Sequence, residues 1–345
     1  MGEVLNVETR RNPVFDIMKG IGIILMLVGH VPPSYPVYHF IYSFHMPLFF
    51  VLAGVFAKDY QGGGRNEFVN LLKKDAKRLV LPVVVTQVLV ILLSPLHYAE
   101  DKNFHYVYSQ FLSLLWNGDG IDTKWGLVTC QMWFLLALFW TRTIFRGLEY
   151  VCLKKSKWHD EAIVVICALL SLLAVILHVK FSVKLPWEIM RGTTAVVFYA
   201  IGWYLNRHKQ PLWFYLLTVA VWLVALKFGG IDMHPYYYGC YPIDVIGSIG
   251  AIWLVYQLSK GLCKVAPKSS KLLQWFGVNS LIIFCIHCLD RSSWLVKAIR
   301  FVLGIHVTDL YSVAIHYGIT ILIVIIMLNI PYMKQLYGAK KLREV

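Results

Sequence analysis

Val14-Phe15-Asp16-Ile17-Met18-Lys19-Gly20-Ile21-Gly22-Ile23-Ile24-Leu25-Met26-Leu27-Val28-Gly29-His30-Val31 is a nearly unbroken apolar run that carries three ionisable side chains: Asp16, Lys19 and His30. A bilayer core is about 30 Å thick, so a run of roughly 17 to 25 such residues predicts a spanning helix. Nine further stretches qualify by the same measure: 37–57, 79–98, 126–145, 162–179, 187–205, 211–228, 240–258, 272–289 and 310–330. Two shorter runs, 104–116 and 293–305, read as amphipathic helices lying at the interface, with a twelve-span arrangement as the alternative.

The rest of the 345 residues agrees. Hydrophobic residues make up 58% and charged residues 15%, where soluble domains carry about 25% charge. Mean hydropathy is +0.60. A soluble globule, a disordered tail and a secreted disulfide scaffold are all excluded by this balance. The expectation is an all-α polytopic membrane protein of about ten transmembrane helices, forming one domain over residues 1–345. No cleavable leader is expected, because the first span holds Asp16, ends in Gly29-His30 and is followed by no small-residue cleavage site.

The formal charge of +14 would suit nucleic acid or anionic lipid. Sorting the 33 basic residues by alternate loops decides between them: 24 fall on one set, 8 on the other, and Arg191 lies inside a span. That bias is the positive-inside pattern. It predicts cytoplasmic termini and a multi-pass protein of the inner (plasma) membrane, with the bilayer rather than nucleic acid as the partner of these charges. The opposite loops carry acidic and aromatic residues such as Asp232 and Pro235-Tyr236-Tyr237-Tyr238. They suit a carbohydrate or polar headgroup, or else form an interfacial aromatic belt.

Ionisable groups inside spans are costly, and so they mark where chemistry should be sought. Lys19 and His30 are eleven residues apart, about three helical turns, and share a face at depths differing by roughly 16 Å. Asp16 can pair with Lys19. The bland alternative has Lys19 snorkelling to the surface and His30 capping a helix end. His45 lies about two turns inside the second span beside Pro47, which kinks the helix. It either opens a cavity or fixes packing by a hydrogen bond. In the ninth span, Asn279-Ser280 leads to His287, seven residues beyond Ser280 on the same face. His30, His45 and His287 therefore reach similar depth on three helices. No metal is expected there, because carboxylates at that depth are few and Cys285-Ile286-His287-Cys288 points its ligands apart. Arg191 adds a permanent cation to the same layer, with Asp244 as its expected neutraliser, in either a structural or a substrate-binding role.

These motifs resemble the acyltransferase-3 family of integral membrane O-acyltransferases, over nearly the whole chain. Lys19 and His30 meet its first-span pattern, and Phe44-His45-Met46-Pro47-Leu48-Phe49-Phe50 through Gly54 is similar to its second-span signature. Trp133-Phe134-Leu135, the stretch from Arg191 to Gly202, and Asn279-Ser280-Leu281 through His287 are similar to further family blocks. Phe284 stands where Tyr is common and Ala53 where Ser is common.

The resemblance implies transfer of an acetyl or short acyl group from acetyl-CoA, or another acyl-CoA, on the cytoplasmic side to a hydroxyl of an envelope carbohydrate or lipid-linked glycan. It implies that His30 is essential. Such a transfer needs a general base for the hydroxyl proton and donors for the tetrahedral oxyanion, and an imidazole with an ordinary pKa of about 6.5 serves as base. His30 takes that role, His45 and His287 orient it or stabilise the oxyanion, and Arg191 meets the acceptor or the oxyanion. Lys19, Asp16, Ser280 and Asn279 form the expected donor-binding set. The competing reading is a transporter or flippase whose pathway these residues line; it expects internal repeats and paired broken helices, and the sequence shows neither.

Overall fold

The first span forms helix α1 (Pro13–His30). Pro13 stands where its missing N–H costs nothing, and the Asn12 side chain accepts the Val14 N–H at 3.0 Å, capping the helix start. The computed structural model describes residues 12–30, 34–58, 64–101, 132–151, 159–287 and 309–338. The two interfacial runs, 104–116 and 293–305, lie outside the described residues.

The second span is interrupted. Helix α2 (Tyr35–Tyr42) stops at Ser43-Phe44, and α3 (His45–Val55) begins there. Pro47 accounts for the position of the break: its ring would collide with the carbonyl four residues earlier, at Ser43. The kink therefore falls one turn ahead of the proline, and Pro47 sits in the first turn of a new helix, where it is tolerated. Ser43 donates to the Phe40 carbonyl at 2.7 Å and accepts the Trp222 indole N–H at 3.0 Å.

After α3, helix α4 (Gly64–Asp75) runs through a π-turn, Ala76–Val80, into α5 (Leu81–Asp101). The sequence places 58–78 in a loop; much of it is helical. Helix α6 (Trp133–Val151) continues six residues beyond the expected end at Phe145. Arg142 and Arg146, counted above with the following loop, ride on this helix. Helices α7 (His159–Phe181), α8 (Ile189–Arg207), α9 (Leu212–Phe228) and α10 (Tyr241–Val265) match expected spans within a few residues, except that α10 runs seven residues past its expected end at Leu258. The ninth span is not one rod: α11 (Pro267–Val278) and α12 (Ser280–His287) meet at Asn279 and are bent by 62°. Likewise α13 (Asp309–Met327) gives way to α14 (Pro331–Tyr337) across a bend of 111°.

Among the described residues, four helical segments are long and apolar enough to cross a membrane, or six when each bent pair counts as one. This is a helical membrane protein. Strand structure among the described residues is confined to a hairpin between α9 and α10, in which Ile231 pairs with Tyr238 and Asp232 with Tyr237. Asp244, in the first turn of α10, closes the hairpin by accepting the N–H groups of Gly230 and Cys240 at 2.7 and 2.8 Å.

Helix α8 is the innermost element, buried on nearly every side, as expected of a helix without a polar stripe. By contrast α7 exposes Val165, Leu169 and Leu173, a face suited to lipid. Glycines set two close crossings. A Cβ on Gly277 would strike the Asp16 carbonyl and one on Gly20 the Leu273 carbonyl, so α11 crosses α1 backbone to backbone. Gly54 of α3 and Gly202 of α8 meet in the same reciprocal way. The first crossing brings the start of α12 beside the acidic and basic residues of α1.

Candidate active site

The chain direction of four elements defines two ends of a cavity. The start of α1, the end of α3, the second half of α6 and the start of α12 converge at a cationic end. Here Lys19 and Asp16 form an ion pair at 2.7 Å, and Arg142 reaches Asp75 at 3.1 Å. Asp75 is buried and also pairs with Arg146, so one carboxylate holds two guanidinium groups from α6. A cavity of about 630 Å³ opens among these charges, with Lys19, Arg78, Arg142 and Ser280 in its walls. Met26, Met46 and Phe284 also stand in its walls.

Those three residues stand directly below the histidines. Met26 is one turn before His30, Met46 follows His45, and the Phe284 ring lies 5.3 Å from that of His287. The His30 and His287 rings stack at 5.2 Å, and His45 is within electrostatic reach of His30. The equal depth read from three separate stretches is thus a spatial cluster. His30 is exposed at the end of α1, while His45 and His287 are buried.

Backbone carbonyls fix two of the tautomers. His45 Nδ1 lies 2.9 Å from the Ile41 carbonyl, and His287 Nδ1 meets the Phe284 carbonyl. A carbonyl only accepts, so in each case Nδ1–H donates and the lone pair of the neutral ring resides on Nε2.

A second cavity, of about 670 Å³, lies beyond the histidines. Tyr42 is in its wall, with its ring 4.6 Å from His45 and its hydroxyl 3.5 Å from the Gly29 carbonyl. None of the three histidines is among the lining residues of either cavity, but Phe284 in the wall of the first packs against His287 and Tyr42 in the wall of the second packs against His45. Asp232 lines the second cavity, accepting the Tyr38 hydroxyl and, at 3.0 Å, the His234 N–H. Burial pushes its carboxyl above the usual carboxylate range, against the pull of Tyr38, His234 and the charge of Arg191.

Arg191 is not among the residues lining either cavity. Its guanidinium is buried, pairs with Glu188 and holds the His234 carbonyl, with Nε at 3.0 Å. It also packs over the rings of Trp133 and Tyr236, at 5.4 and 4.8 Å. The expected neutraliser was Asp244; the partner is Glu188, because Asp244 is engaged with the hairpin N–H groups while Glu188 stands one turn from Arg191. Trp187 and Glu188 both adopt left-handed backbone, φ 56° and 60°, a costly conformation for residues with side chains. The chain bends there so that Glu188 turns inward.

Asn279 is buried at the α11–α12 break and donates to the Trp275 carbonyl at 2.9 Å; it is not among the residues lining the cavity. Arg142, Asp75 and Tyr42 enter the site without having been singled out in the sequence. The signal for the first was available, since Arg142, Arg146 and Glu149 recur at helical spacing past the expected end of the span. No group of three His, Cys, Asp or Glu side chains among the described residues is arranged to hold a metal ion.

Residues 12–329 match a family model described as an acyltransferase domain. No curated protein and no solved structure matches the chain.

Proposed function

Because the chain belongs to the acyltransferase-3 family, whose model spans residues 12–329, we propose that it moves an acetyl or other short acyl group from acyl-CoA to a hydroxyl of an envelope or surface carbohydrate. The observation that carries this reading is that two separate cavities each have a wall residue packed against one histidine cluster, Phe284 on His287 and Tyr42 on His45. A donor and an acceptor that approach from opposite faces of a membrane need such an arrangement.

In this reading the cationic end faces the cytoplasm of a plasma membrane, in agreement with the Lys and Arg bias. The CoA phosphates rest near Lys19, Arg78 and Arg142, a cluster of charged donors suited to phosphate oxygens. Asp16 and Asp75 hold two of these cations in place. The pantetheine arm runs along the cavity, past Ser280, and delivers the thioester to Met26, Met46 and Phe284. The acceptor hydroxyl enters from the second cavity. His30 removes its proton as the oxygen attacks the thioester carbonyl; the tetrahedral intermediate collapses, the C–S bond breaks, and the thiolate takes the proton, leaving free CoA and an ester. His45 and His287 hold His30 and the oxyanion. Arg191 acts indirectly, by fixing the wall of the acceptor side through His234 and Tyr236.

The test is transfer from radiolabelled acetyl-CoA to surface glycans, followed by mass spectrometry of those glycans. His30→Ala should lower transfer by about 100-fold or more, with the protein still present in the membrane. Undiminished transfer in that variant overturns the role of His30. Movement of glycan across the membrane without any consumption of acetyl-CoA would favour a transporter instead.

A further inference from the structure

The second cavity has a composition of its own. Helix α2 presents Tyr35, Tyr38 and Tyr42 from one face, spaced by three and four residues so that they stand above one another. The rings of Tyr38 and Tyr42 stack at 3.9 Å. Across the cavity, His178 and Tyr236 stack at 3.6 Å. Asp232 lies between these aromatic walls, fixed by Tyr38 and by the His234 N–H. Two hydrogen bonds leave a carboxylate with acceptor positions still available.

We propose that this cavity holds the acyl acceptor and that Asp232 selects neutral or amine-bearing sugars over acidic ones. The proposal rests on the acyl-transfer reading above and adds the charge class of the acceptor. Flat rings suit the C–H faces of a sugar, and a carboxylate accepts from hydroxyl or ammonium donors. A glycan carboxylate placed there would face Asp232 with no Lys or Arg among the described lining residues. Among the described residues, the Lys and Arg side chains nearby lie outside the lining. Arg191 lies against Tyr236 and is engaged with Glu188 and the His234 carbonyl. His39 and His178 also stand in the walls, and Lys180 and Lys184 are exposed to solvent outside the lining. Tyr42, which touches both the cavity and His45, marks where the acceptor hydroxyl reaches the histidine layer.

The experiment titrates the full chain in lipid nanodiscs, without acyl-CoA, with three trisaccharides: tri-N-acetylchitotriose, its de-N-acetylated form and trigalacturonic acid. The neutral and basic trimers should bind at least about tenfold more tightly than the acidic one, one decade in Kd. Asp232→Asn, which keeps an oxygen for the His234 N–H, should erase that difference, and Tyr38→Ala should weaken all three. Equal binding of the acidic trimer, binding of none, or an unchanged order in Asp232→Asn overturns the proposal. In the transfer assay, Asp232→Asn should raise the acceptor KM and leave the acetyl-CoA KM alone; the reverse pattern also overturns it. A protein that shows the binding order but transfers no acetyl group refutes acyl transfer and leaves the sugar site standing.

Discussion

His45 donates its Nδ1–H to the Ile41 carbonyl and packs against Tyr42, so Nε2 is the nitrogen left for the proposed chemistry. The two functions are separable by substitution. Asn places an N–H close to the position of Nδ1, whereas Gln reaches toward Nε2. If Nε2 of His45 holds His30 or the oxyanion, His45→Gln should retain more kcat than His45→Asn, while His45→Asn should retain more thermal stability, since it keeps the bond to Ile41. A lost buried hydrogen bond costs about 1–3 kcal/mol, which a melting curve in detergent resolves. Equal kcat in the two variants would mean that His45 serves packing alone. The three histidines were legible in the sequence because depth along a spanning helix is a count of residues. The partners were not. Asp75 and Arg142 are joined across unrelated stretches of chain, and Glu188 turns toward Arg191 only because the backbone there is left-handed.

Helices were the most legible elements, since an apolar run of fixed length has few alternatives in a bilayer. Their interruptions were less so. The apolar run continues across the bend at Asn279, from Leu272-Leu273 to Ile282-Ile283, so a ninth span that is two helices at 62° reads as one. Pro47 announced a kink but not its place, because the steric conflict falls on the residue four positions earlier. The hairpin escaped notice because two-residue strands carry no periodicity. Close helix crossings rest on glycines whose role appears only once both helices are in view. Gly277→Ala would push its new methyl group into the Asp16 carbonyl, backbone that cannot move aside, and should cost about 1–3 kcal/mol as overpacking does. Gly261 is the internal control, since a Cβ there meets nothing within 4 Å; Gly261→Ala should be neutral or stabilise by about 0.5–1 kcal/mol. Because Gly277 also sets α1 against the start of α12, its variant should raise the acetyl-CoA KM as well. Equal melting temperatures for the two variants would show that the α1–α11 crossing is looser than its geometry indicates.

At the scale of the molecule, the proposed acyl transfer makes a directional claim: the charged cavity near Lys19 and the aromatic cavity near Tyr35 must open on opposite sides of the membrane. Helix α10 supplies the ruler. Its 25 residues span about 37 Å at 1.5 Å per residue, enough to cross the hydrocarbon core. Its start adjoins the hairpin of the aromatic cavity. Its second half places Tyr256 against Phe15 at the cationic end, with ring centroids 6.2 Å apart. Tyr237 and Lys264 are both exposed and flank this helix at its two ends. In a chain whose seven native cysteines are replaced by serine or alanine, Tyr237→Cys should react with a membrane-impermeant maleimide on intact cells. Lys264→Cys should react only in inverted vesicles. The bias of Lys and Arg predicts this orientation, and the proposed acyl-CoA donor, made in the cytoplasm, requires it. Labelling of Lys264→Cys from outside would place the cationic cavity on the wrong face for acyl-CoA, and would refute the assignment of donor and acceptor sides even if His30 remained essential.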